Sequence, residues 1–141
     1  VLVGSFINKY LLRKFKIIQV MMIGVFFIGL GASILLTIAY FNEARFSILW
    51  GGVCIYMLGT AFVISNSTAL ALDPLSKTAG ISASIIGTIQ NLCSAIGSVI
   101  TGLVYNGTIS NMVFLMGILG LFVVIIFVIG VESIKDSYNA I

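Results

Sequence analysis

Ile17–Asn42 reads IIQVMMIGVFFIGLGASILLTIAYFN, 26 residues without a charge between Lys16 and Glu43. A hydrocarbon core of about 30 Å is crossed by roughly 20 helical residues at about 1.5 Å each, so this stretch is long enough to span a bilayer with length left for tilt. The next gap repeats the pattern. Phe46 to Leu72, between Arg45 and Asp73, gives 27 uncharged residues, and Lys77 to Glu132 encloses 54 more, enough for two spans. The long run is interrupted at Tyr105-Asn106-Gly107-Thr108, with Ser110 and Asn111 just beyond, a cluster that supplies a glycine for positive φ and polar groups for an interface. The expected helices are Ile17–Asn42, Phe46–Leu72, about 78–104 and about 111–131.

Unpaired backbone groups in hydrocarbon cost several kcal/mol each, which leaves helices or a closed barrel as the only spanning structures. Runs of this length, with no alternation of polarity over about ten residues, exclude the barrel. The fold class is therefore an all-α membrane protein with four transmembrane helices. Composition agrees: of 141 residues 60% are apolar and 8% charged, against about 25% charged in soluble domains. The expected organisation is residues 1–16 as the end of a preceding helix and a basic loop, 17–131 as the four-helix segment, and 132–141 as a tail in water. A chain that starts at Val1 also suggests that residues upstream are missing.

Four of the seven basic residues, Lys9, Arg13, Lys14 and Lys16, crowd into one short stretch beside the first span. Anionic lipid headgroups are the partner this position suggests, and the absence of a nucleic-acid module argues against RNA or DNA. Counting Lys and Arg over alternate loops gives six against one, which by the positive-inside rule puts both termini in the cytoplasm of a multi-pass protein of the cell (inner) membrane. The chain has no histidine, and Cys54 and Cys93 lie in apolar runs without a metal-binding spacing, so they read as small buried packing residues. No cofactor, metal site or catalytic grouping is expected, and the chain is not read as an enzyme.

Asp73-Pro74 and Ser76 mark a tight turn in which Pro74 ends the second span, Asp73 pairs with Lys77 and Thr78 caps the third. Polar residues divide the spans unevenly. Met112 to Val131 contains no Ser, Thr, Asn or Gln, and the first span has only Gln19, Ser33 and Thr37. The second carries Ser47, Thr60 and Ser65-Asn66-Ser67-Thr68, and the third carries nine such residues, among them Ser82, Ser84, Thr88, Gln90, Asn91, Ser94, Ser98 and Thr101. The second and third spans are thus expected to face inward and the first and fourth to form the outer wall. Ala83 and Gly87, with Ser94, Ser98 and Gly102, form small-residue rows for helix packing. Asn66, Gln90 and Asn91 are candidates for a substrate cavity, since a buried amide needs a partner helix or a solvated space.

The segment Ser65-Asn66-Ser67-Thr68-Ala69-Leu70-Ala71-Leu72-Asp73-Pro74, continuing into Ala79-Gly80-Ile81-Ser82-Ala83-Ser84 and Gly87-Thr88-Ile89-Gln90, resembles the tenth and eleventh helices of the drug:proton antiporter branch of the major facilitator superfamily, bicyclomycin-resistance type. Gly4, Asn8, Lys9 and Arg13 look like a weakened copy of the glycine-and-basic cytoplasmic loop between that superfamily's eighth and ninth helices. The resemblance implies that the four spans correspond to helices nine to twelve of a twelve-helix transporter. It also implies an absent amino-terminal half carrying the proton-coupling carboxylate, and multidrug efflux by proton-coupled alternating access, with drug-like compounds and protons as its ligands. Two departures stand out: Ser65 occupies a place where relatives often have proline, and Asn8-Lys9 replaces an acidic-basic pair. No Asp, Glu, Lys, Arg or His lies within any span, which favours a second reading, a decayed non-transporting remnant, and counts against a third, a small exporter working as an oligomer of four-helix subunits, since that design generally places a carboxylate in the first span.

Overall fold

A computed structural model describes residues 2–41, 46–105 and 107–139, with the side chains of 2–6, 75–77 and 132–139 left aside. The order is α1 (Leu2–Leu11), α2 (Ile17–Phe41), α3 (Phe46–Leu72), a 3-10 segment (Asp73–Thr78), α4 (Ala79–Val104) and α5 (Ile109–Asn139). The four long helices are each apolar and long enough to cross a membrane, α5 through Ile109–Val131. The chain is an all-α membrane protein, as its uncharged gaps require.

Local signals set the helix ends. Gln19 reaches back so that its Oε1 accepts from the Lys16 backbone N–H at 3.0 Å, half of a capping box at the start of α2. Gly107 takes φ +86° in the turn after α4, and the Asn111 side-chain amide donates across that turn to the Val104 carbonyl at 3.4 Å. Pro74 lies in the first turn of the 3-10 segment and closes α3, but Thr78 makes no side-chain cap. The start of α4 is exposed, so water can serve its free N–H groups instead. The proposed partner of Asp73, Lys77, has its side chain outside the described residues.

Two details differ from expectation. α1 runs to Leu11, so that Asn8 and Lys9, expected in the basic loop, are helical, and α5 continues to Asn139 where the chain was expected to leave the helix at Val131. After Val131 there is no Gly or Pro to stop it, and extending an existing helix is far easier than starting one.

Glycines fix how the helices meet. A Cβ at Gly24 would lie 2.9 Å from Phe62 Cβ, one at Gly31 would lie 2.8 Å from the Tyr56 backbone nitrogen, and one at Gly52 would lie 3.0 Å from Ile34. As numbers rise along α2 they fall along α3, so the pair is antiparallel. α5 meets the other side of α2 in the same sense, with Gly117 against Leu36 and Gly120 against Ala32 and Tyr56. Lipid tails give helices no hydrophobic reason to associate, so the van der Waals packing that close backbone approach allows becomes decisive. Gly24 and Gly31 on α2, and Gly52 and Gly59 on α3, recur every seven residues, the spacing that keeps one seam facing a partner.

The core therefore forms around α2. Val20, Val25, Ile28, Ala32, Leu35 and Ile38 of that helix are buried, together with Phe62 of α3 and Val113 of α5. The first span, expected in the outer wall, is thus the centre of the described bundle, while the third, α4, has no buried residue within it and touches α3 and α5 along narrow seams. The reason lies in how the α4 hydroxyls are satisfied. Ser84, Thr88, Ser98 and Thr101 each donate to the carbonyl four residues earlier, at 2.8–3.0 Å, so their polarity does not demand an inward position. Cys54 and Cys93 also face outward, contrary to the expectation of burial.

Candidate polar sites on the helix bundle

The three amide candidates fall in two different environments. Asn66, 1% exposed, pairs with Asn8, 7% exposed. The Asn66 Nδ2 donates to Asn8 Oδ1 at 2.8 Å and also to the Phe62 carbonyl at 2.8 Å, and the Asn8 Nδ2 returns a bond to Asn66 Oδ1 at 3.3 Å. This reciprocal pair ties α1 to α3 across 58 residues of sequence. Within the described residues Asn66 is buried and ties α3 to α1. Pairing the two amides satisfies groups that would otherwise be costly to bury.

Gln90 and Asn91 are on the exposed side of α4. The Gln90 Nε2 makes a long 3.5 Å bond to Thr68 Oγ1 of α3, while the Asn91 amide meets no partner among the described residues. The small residues expected to pack α4 share its exposed or half-exposed surface: Ala83, Ser94, Ser98 and Gly102 are exposed and Gly87 is half-buried. A Cβ at Gly87, Gly97 or Gly102 would meet nothing within 4 Å. The close approaches lie elsewhere, on α2, α3 and α5, and on α2 and α3 the seven-residue spacing of those glycines is visible in the sequence.

Among the loop residues, Asn8 is the buried one, while Lys9 and Arg13 beside it are exposed. Gly4 is in α1, where side-chain surroundings lie outside the described residues. The turn between α1 and α2 is compact, with Leu12 and Phe15 N–H donating to the Asn8 and Leu11 carbonyls, at 3.0 and 2.9 Å. Where α3, α4 and α5 meet, Tyr56, Thr101, Met112 and Met116 line a crevice that is largely apolar. Aromatic rings gather at the opposite end of the bundle from the basic turn: Tyr40 against Phe41, Phe46 against Trp50, and Tyr105, all exposed. Tyr40, Trp50 and Tyr105, each with one polar edge, suit a membrane–water boundary.

No protein-family model, curated protein or solved structure matches this chain. Its functional reading therefore rests on its own residues. Among the described residues no three His, Cys, Asp or Glu side chains come together as a metal-binding group.

Proposed function

We propose that the chain is the carboxy-terminal part of a proton-coupled multidrug efflux transporter of the major facilitator type, placed in the cytoplasmic membrane with both termini inside and working by alternating access. The observation that carries this reading is α4, a span-length helix with no buried residue that presents Gln90 and Asn91 outward. A free amide in hydrocarbon costs on the order of 1–3 kcal/mol or more, so this surface calls for further helices or a water-filled path. Substrate sites in such transporters lie near the midplane between repeats, where a polar α4 surface would face them. The resemblance carried by residues 65–74 and 79–90 supplies the substrate class, drug-like compounds, and the charge count supplies the orientation. With no ionisable side chain in any span, the coupling proton would be handled by the amino-terminal half.

An antibody to the tail, residues 132–141, tests the reading in native membranes. A band roughly three times the 15.1 kDa of this chain, as about twelve spans require, supports it. A band near 15.1 kDa refutes it and favours a remnant that transports nothing alone. In the full transporter, Gln90→Ala and Asn91→Ala are expected to change the range or rate of compounds exported, by up to about tenfold for substrates that bond to the amide. Unchanged resistance to every compound tested would remove both from the cavity.

A further inference from the structure

The last turn of α1 carries Lys9 and the turn that joins it to α2 holds Arg13, Lys14 and Lys16, and all four side chains are exposed. None forms an ion pair with a carboxylate among the described residues. Exposed apolar groups alternate with the cations: Tyr10, Leu12 and Phe15 are 62%, 37% and 44% exposed, and the Lys14 Nζ sits 5.8 Å from the centroid of the Tyr10 ring. Two features hold this arrangement in place. The turn is closed by backbone hydrogen bonds from Leu12 to Phe15 onto Asn8, Tyr10 and Leu11, and the residue before Lys9 is the buried Asn8 bonded to Asn66 of α3. The first residue of the long apolar helix, Ile17, follows Lys16 directly. The cations therefore directly precede a helix long and apolar enough to cross a bilayer, and the polar boundary of a bilayer is where its phosphodiesters lie.

We propose that the end of α1 and the α1–α2 turn together form a binding surface for anionic phospholipid, with Lys9, Arg13, Lys14 and Lys16 on the headgroup phosphates and Tyr10, Leu12 and Phe15 against the glycerol and upper acyl region. Charge complementarity selects an anion, and the interleaved apolar side chains beside a membrane span select a lipid over a nucleic acid or an acidic protein. The surface exists whether or not the chain belongs to a transporter.

Tryptophan quenching by brominated lipids tests it on the full chain, because Trp50, the single tryptophan, lies at the opposite end of the bundle. An Ile18→Trp reporter in a Trp50→Phe background sits next to the turn without belonging to it. In phosphatidylcholine bilayers containing dibrominated phosphatidylglycerol, the reporter is expected to show roughly fivefold preference for the anionic lipid, the factor that one basic residue near a headgroup surface contributes. Trp50 in the unsubstituted chain is expected to show almost none. Raising salt from about 0.1 M to about 1 M, which shortens the screening length from about 10 Å to about 3 Å, should bring the reporter's preference close to unity without any change to the turn. The combined Lys9→Gln, Arg13→Gln, Lys14→Gln and Lys16→Gln variant should do the same. Equal preference at the two tryptophan positions, no preference beside the turn, or a preference indifferent to salt and to the four substitutions would overturn the proposal.

Discussion

Gly59→Ala is expected to destabilise the bundle by about 1–3 kcal/mol, as overpacking of a tight contact does. The added Cβ would lie 2.5 Å from the Gly24 carbonyl oxygen and 2.7 Å from the Ile28 backbone nitrogen. Those atoms are backbone, so no side chain can rotate away, and α3 must lift off α2 along the seam that holds Gly24, Gly31 and Gly52. Gly51→Ala is the matched control: on the same helix, a Cβ at that position meets nothing within 4 Å. It is expected to be neutral or slightly stabilising, since alanine is the better helix former. Titrating mixed micelles with a denaturing detergent, followed by circular dichroism, would compare the two. Equal midpoints for both variants would mean that the α2–α3 seam is not where the structure puts it.

The second large effect is expected at the amide pair. Asn66→Leu leaves Asn8 buried without its partner, and Asn8→Leu does the same to Asn66, so each change is expected to cost about 1–3 kcal/mol. The double variant should cost less than either, because replacing both groups removes the unmet polarity together with the bond. Helix pairs in membranes often show coupling nearer about 0.6 kcal/mol, which sets the lower end of what the double-mutant cycle should return. Additive single effects would show that the amides act independently. The pair also separates two roles for Asn66 in the full transporter. A cavity residue would affect export when changed alone, whereas a helix-tying residue would be matched by Asn8→Leu.

Much of the arrangement is legible in the spacing of charges. Lys16, Glu43, Arg45, Asp73, Lys77 and Glu132 bracket the four spans, and Asn106-Gly107 divides the longest run, because in hydrocarbon a backbone has few choices and a charge marks where hydrocarbon ends. The turn at Gly107 can likewise be read from residue type, since positive φ favours glycine. Polarity, by contrast, does not identify α2 as the centre of the described bundle. Ser84, Thr88, Ser98 and Thr101 look like residues in need of partners, yet each is satisfied by its own helix, and only amides such as Asn66 and Asn8 reach across. The signal that does sort the helices is glycine every seven residues on α2 and α3, which the count of polar residues outweighs when the chain is read alone.

The sequence by itself determined that this is a helical membrane protein of four long spans with a basic turn before the first, because the bilayer imposes length, apolarity and internally paired backbone on any segment that crosses it. Only the tertiary structure decided that α2 is the centre, that α4 stands outside with its amides uncovered, and that Asn8 meets Asn66. Those outcomes depend on which backbones can approach within van der Waals contact and which side chains meet across 58 residues of chain, and local sequence pattern does not encode a distance between segments.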